Sequence, residues 1–100
     1  MEKPTPHCRL SIIRALIQAG RVRATMTAYQ GARGLGIEDL DGMCRVILAL
    51  TPRDFHKSMT THDDHRLWQD VYRARLASGR LVYLKLTVID DLLVVSFKEL

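Results

Sequence analysis

Between Trp68 and Lys98, side chains that can grip an anion stand at alternate positions. Gln69, Arg73 and Arg75 alternate with Trp68, Tyr72, Ala74 and Leu76, and a second series carries Tyr83, Lys85 and Lys98. Residues two apart in a strand share a face, so this spacing gathers Gln69, Arg73, Arg75, Tyr83, Lys85 and Lys98 on one sheet surface. Arginine and lysine there suit a phosphate backbone, and a tyrosine between lysines can stack on a base. Two readings stay open at this level: a solvated sheet face, or a face that meets a polyanion.

The histidines offer a second chemistry. His62-Asp63-Asp64-His65 puts two imidazoles and two carboxylates in one polar loop. Such a cluster can begin a metal site, supply an acid and a base to a ribonuclease, or stay solvated. No cysteine or further histidine stands nearby to complete a ligand set. His7 falls in the first turn of a helix and is given no role. His56 follows Phe55 in a strand, where parity places it opposite Lys57. Trp68 is read as core, because its face is otherwise apolar. The chain carries no GxGxxG, Walker, GxSxG or HExxH motif.

Elements of two kinds must position these groups. The first half reads as helical. Thr5 and Pro6 offer a cap and a first helical residue, Leu10, Ile13, Leu16 and Ile17 repeat at helical spacing, and Gly20 ends the element. Arg21-Val-Arg is a short extended link. A second helix starts near Thr25 and fades at Gly31, Gly34 and Gly36. A third runs from Asp39 to Leu50 with Leu40, Met43, Cys44, Ile47 and Leu48 as its buried stripe, weakened at Gly42 by about 1 kcal/mol relative to alanine. Thr51-Pro-Arg-Asp54 predicts a single helical turn. Strands follow over Phe55–Thr61, Trp68–Leu76 and Val82–Phe97, with Thr61–Arg66 as a polar loop.

The last run reads as a hairpin turning at Asp90-Asp91. That register pairs Val88 with Leu93, Leu86 with Val95 and Leu84 with Phe97 on an apolar face. It pairs Thr87 with Val94, Lys85 with Ser96 and Tyr83 with Lys98 on the other. Ala77-Ser78-Gly79 makes a loop that sets Leu76 opposite Arg80, Arg73 opposite Tyr83 and Gln69 opposite Thr87. The expected class is α+β, with N-terminal helices on one face of a C-terminal antiparallel sheet.

Size and charge limit the partners. One hundred residues, 47% hydrophobic, fit one domain over 1–100 with a real core. A net charge of +4 and a pI of 9.4 favour a polyanion or an acidic protein. Cys8 and Cys44 lack a CxxC spacing and are read as reduced, buried thiols. The N-terminus lacks the apolar stretch of a signal peptide. Lys85, Asp90 and Asp91 interrupt Leu81–Phe97 as a membrane span, so the expectation is a soluble cytoplasmic protein.

Five blocks extend this reading. Met1-Glu-Lys-x-Thr-Pro-His7, Leu40-Asp-Gly-Met-Cys44, Lys57-Ser-Met-Thr-Thr61, Trp68-Gln-Asp-Val-Tyr-Arg73 and Val94-Val-Ser-Phe-Lys-Glu99 resemble, in order and over essentially the whole chain, the MqsR family. These are motility quorum-sensing regulator toxins of type II toxin–antitoxin systems. One departure is an extra residue within Ser78–Val82. The resemblance implies a RelE-like fold and an endoribonuclease that cuts messenger RNA at triplets containing a G-C step, with no metal and no cofactor. It implies Lys57, Gln69, Tyr83 and Lys98 as the active site, leaving Arg73, Arg75 and Lys85 as RNA-binding residues of the same face. It also implies an MqsA antitoxin partner with a zinc-binding N-terminal domain and a helix-turn-helix C-terminal domain, so that zinc belongs to the partner. An exposed strand edge is one physical route to that partner.

Chemistry follows from those groups. The substrate's 2′-hydroxyl can serve as nucleophile, leaving a 2′,3′-cyclic phosphate and a 5′-hydroxyl. Lys57 and Lys98 suit the charge of the phosphorane, Gln69 can donate to a non-bridging oxygen, and Tyr83 can protonate the leaving oxygen. The general base is open between a lysine, His56 and His62. The alternative class is a non-catalytic module that binds RNA or protein with the same face.

Overall fold

The computed structural model describes residues 1–100, and every element follows from a local signal or from the tertiary contact that overrides it. In chain order these are β1 (Glu2–Lys3), α1 (Leu10–Gln18), β2 (Val22–Ala24), α2 (Met26–Arg33), α3 (Leu40–Leu48), a 3-10 turn (Pro52–Asp54), β3 (Phe55–Thr60), β4 (Trp68–Arg75), β5 (Leu81–Ile89) and β6 (Asp91–Glu99). The strands form one six-stranded sheet in the order β1-β3-β4-β5-β6-β2. All neighbours are antiparallel except β2, which runs parallel to β6. This is the α+β architecture expected, with the helices first and most of the sheet after them. No helix is long and apolar enough to cross a membrane.

The core fills the space between the helices and one sheet face. Ile13, Ala28, Ala32, Met43 and Ile47 meet Tyr72, Val82, Leu84, Leu86, Leu92, Val94 and Phe97, all at most 1% exposed. Helix α2 lies close on β6. At Gly31 an added Cβ would overlap the Phe97 carbonyl oxygen, so only glycine permits that approach. Gly42, foreseen as a weakness of α3, has a similar purpose: a Cβ there would sit 2.8 Å from Ile37 Cγ2.

Side chains close the expected helix starts at three places. Thr25 accepts from Ala28 N at 3.0 Å, Asp39 accepts from Gly42 N at 2.8 Å, and Asp54 accepts from Thr51 N at 2.8 Å. The start of α1 is different. Thr5 and Pro6 do not open it; the helix begins at Leu10 after Arg9, with no side-chain cap. The reason is tertiary. Asp70, 3% exposed under the sheet, accepts from His7 N and Cys8 N, each at 2.9 Å. That carboxylate holds the segment extended where a local cap would have curled it. Arg21-Val-Arg is likewise more than a link, because Val22–Ala24 becomes an edge strand against Leu92–Val94.

The outer part of the last hairpin has the expected register: Tyr83 opposite Lys98, Leu84 opposite Phe97, Lys85 opposite Ser96. The inner part does not. A bulge at Val95 shifts the pairs to Leu86–Val94, Thr87–Leu93 and Val88–Leu92, and the chain turns at Asp90, whose φ is 62°. Leu92 and Val94 therefore enter the core, and Leu93 and Val95 do not. A bulge leaves a carbonyl outside the ladder. Here Thr25 Oγ1 donates to Val95 O at 2.8 Å while Thr25 N donates to Val94 O at 3.1 Å. One threonine caps α2 and closes the irregularity in β6.

Asp70 generates the test of this fold. Asp70→Ala leaves two backbone donors unpaired beneath the sheet, and hydrogen bonds to a carboxylate carry about 1.5–3 kcal/mol. The variant should lose at least that much stability in urea unfolding; a midpoint equal to the parent's would remove the clamp from the account.

Candidate active site

The uninterrupted ladder between β4 and β5 positions the site. It sets Arg73 opposite Tyr83, Val71 opposite Lys85 and Arg75 opposite Leu81, with Leu76 N donating to Arg80 O across the Ala77–Gly79 loop. On β3, Lys57 pairs with Val71, and on β6, Lys98 pairs with Tyr83. Directly paired residues share a face. The sheet surface turned away from the helices therefore carries Lys57, Gln69, Arg73, Arg75, Tyr83, Lys85 and Lys98 together. All seven residues proposed from sequence stand there.

Three rows hold six of them, and Arg75 stands in a fourth beside Leu81. The middle row runs Lys57, Val71, Lys85, Ser96; one flanking row runs Arg73, Tyr83, Lys98; the other holds Met59, Gln69, Thr87 and Leu93. Val71 is 0% exposed although it faces away from the helices. Its neighbours on this face are the long side chains of Lys57 and Lys85, directly across the ladder from it on either side. The result is an apolar floor under a cationic rim. With strands about 4.8 Å apart and alternate residues about 6.7 Å apart, the Cα atoms of Lys57 and Tyr83 stand about 12 Å from each other. Gln69 and Lys98 occupy opposite corners, about 16 Å apart by the same spacing. Such a set lines a track for an extended chain instead of closing on one oxygen atom.

Local contacts define each group. Lys98 Nζ lies 5.2 Å from the centre of the Tyr83 ring. Lys57 Nζ donates to Glu2 Oε2 at 2.7 Å, across the short β1 edge. Arg75 donates to Gly79 O at 2.9 Å. Tyr83 is half-buried on the open face, whereas Tyr72 is sealed in the core with an unpartnered hydroxyl. Desolvation, then the charge of Asp70, pushes the Tyr72 hydroxyl up to about 12, so Tyr72 keeps its proton and takes no part in proton transfer.

His56 departs from the parity reading. The β3–β4 register shifts between Phe55 and Lys57. Phe55 packs on Tyr72 in the core, Lys57 faces out, and His56 in the bulge turns to the same open side, with its Nε2 3.1 Å from Arg73 Nη2. Alternation alone could not find it, since a bulge has no residue-type signature here.

The other histidine cluster does not assemble. Asp64 is spent on its own loop, accepting from Arg66 N at 2.9 Å and Arg66 Nε at 3.1 Å, contacts that hold its carboxyl below the usual range. No three His, Cys, Asp or Glu side chains converge as metal ligands would. His7 stacks on Trp68, with Lys3 Nζ 4.1 Å from the Trp68 ring, on the helix side of the sheet edge. Trp68 thus stands apart from the cationic rim. Both thiols are free, and burial pushes both up.

The family described as "Motility quorum-sensing regulator, toxin of MqsA" matches residues 5–99. A relative from Escherichia coli (strain K12), "mRNA interferase toxin MqsR", is 60% identical over 99 residues, which is 99% of each chain.

The Glu2–Lys57 pair can be tested directly. The Lys57 hydrogen bond, then its charge, holds the Glu2 carboxyl below the ordinary glutamate value of 4.5. A lowered value means that the pair contributes at neutral pH and is lost as the pH falls through that value. In an NMR titration the Glu2 midpoint should lie below 4.5 and return toward it in Lys57→Ala. An identical midpoint in both proteins would show that the pair does not form in solution.

Proposed function

The chain belongs to the motility quorum-sensing regulator family of toxins, and from that premise we propose that its open sheet face is the active site of an mRNA interferase. The observation that carries this reading is the placement of Lys57, Gln69, Tyr83 and Lys98, drawn from four strands, on one open face around Val71. The protein is the toxin of a toxin–antitoxin pair and cleaves messenger RNA. An MqsA-type antitoxin with a zinc-binding domain and a helix-turn-helix domain is its natural partner, and cleavage falls at short sequences containing a G-C step.

A single-stranded RNA lies along the track with its phosphates toward the rim. Arg73, Arg75 and Lys85 hold the backbone without reading sequence. The scissile phosphate sits over Val71, between Lys57 and Tyr83. Attack by the 2′-oxygen builds negative charge on the phosphorane, and Lys57 meets that charge from a fixed strand. Gln69 donates to a non-bridging oxygen or to the neighbouring nucleotide. Tyr83 gives its proton to the departing 5′-oxygen, and Lys98 beside the ring places a cation where negative charge then develops. Every cation in this scheme is a side chain and the nucleophile belongs to the substrate, so the reaction needs no metal and no cofactor.

The decisive measurement is incubation with a messenger RNA transcript in EDTA, followed by end analysis. Discrete fragments with 5′-hydroxyl ends are expected. Lys57→Ala and Tyr83→Ala should each slow cleavage at least about tenfold. Intact RNA that is merely retarded on a gel would make the protein a binder instead. For the rim, Lys85→Ala should weaken RNA binding evenly across sequences and reduce the salt slope by about one unit; an unchanged slope would remove Lys85 from the phosphate contacts.

A further inference from the structure

We propose that His56 is the general base of this site, the group that takes the 2′-hydroxyl proton; this deepens the cleavage reading above and rests on it. Three observations place it there. First, the bulge between Phe55 and Lys57 moves His56 out of strand alternation and onto the open face. An unbulged strand would have sent it to the helix side. Second, its Nε2 meets Arg73 Nη2 at 3.1 Å. A guanidinium has donors only, so the ring nitrogen that faces it carries no proton, and the imidazole presents a lone pair there. Third, His56 and Lys57 line one cavity of about 400 Å³ together with Glu2, Lys3 and Pro4, and no hydrophobic residue contributes to it. An anion that takes the place of the Glu2 carboxylate on Lys57 lies beside the imidazole.

The other groups around it do not suit the task. Glu2 and Lys3 approach from β1, Lys57 from the same strand and Arg73 from β4. Ammonium and guanidinium groups have donors only and no lone pair to accept a proton. Glu2 is already engaged by Lys57, which holds its carboxyl low and weakens it as a base. His56 alone combines an unprotonated ring nitrogen, held by Arg73 until RNA binds, with a place on the rim.

The step balances as follows. An RNA phosphate takes the Arg73 guanidinium in a charge-assisted contact and releases Nε2. The 2′-hydroxyl proton passes to Nε2, the 2′-oxygen bonds to phosphorus, and the bond from phosphorus to the 5′-oxygen breaks. That oxygen takes the Tyr83 proton. The products are a 2′,3′-cyclic phosphate and a 5′-hydroxyl, and proton exchange with water resets His56 and Tyr83. Nothing is oxidised or reduced.

The test is single-turnover cleavage of a short synthetic single-stranded RNA with one G-C step, in EDTA, over about pH 5 to 8, where imidazoles change charge. The parent rate should rise with pH through a limb that His56→Gln lacks, and His56→Gln should be slower by about a hundredfold. Glutamine can still accept from Arg73 but cannot carry the proton. Added imidazole should partly restore His56→Ala and leave Lys57→Ala slow. His56 is exposed, so these substitutions spare the core. A His56→Gln protein with the parental rate and limb, beside a slow Lys57→Ala, overturns the base assignment and leaves the site standing. A parent that leaves the RNA intact overturns both.

Discussion

The ladder between β4 and β5 is the constraint on which the rest depends. Its six pairs, from Asp70–Leu86 to Arg75–Leu81, run without a break, while the ladders on either side each contain a bulge. Strand parity in this central ribbon decides two things at once. Tyr72, Val82, Leu84 and Leu86 must go into the core, so Arg73, Tyr83 and Lys85 must face out. No separate device is needed to expose the cationic rim. It is the other side of the same alternation that buries the apolar residues, and slipping the ribbon by one residue would destroy site and core together.

Asp70 connects this ribbon to the beginning of the chain. Its carboxylate accepts the His7 and Cys8 amides, which fixes the segment leading back to β1. From β1, Glu2 reaches the open face to meet Lys57, while Lys3 lies over Trp68 on the opposite side. A residue buried under the sheet thus helps set the surroundings of a lysine above it. Buried polar groups are expected to be hydrogen-bonded, and at Asp70 that requirement has a structural consequence well beyond its own contacts.

Much of this was legible from residue types. Thr25, Asp39 and Thr51 announced their turns because a short polar side chain next to orphan amides has few other uses. Ala77-Ser78-Gly79 fixed the register of β4 against β5, and with it the placement of Gln69, Arg73, Arg75, Tyr83 and Lys85, while the turn at Asp90-Asp91 set Lys98 opposite Tyr83. Lys57 needed the family resemblance, since Phe55–Thr60 has no clean alternation. Three features lay beyond local reading. The Thr5-Pro6 cap lost to Asp70, more than sixty residues away in sequence. The Val95 bulge depends on Thr25, an equally remote partner. The His56 bulge moved a titratable ring across the sheet plane, and period-two counting has no means of signalling an extra residue.

Those two bulges also say where the chain can change its length. Removing His56 would leave Phe55 inward and Lys57 outward as consecutive residues of a regular strand. Removing Val95 would do the same for Val94 and Ser96. Loss of one residue from the unbroken stretch Asp70–Arg75 would instead turn every later side chain of that strand over, exchanging core for solvent. Within the strands, a change of length by one residue is therefore absorbed at the two irregular points, and one of them carries the imidazole.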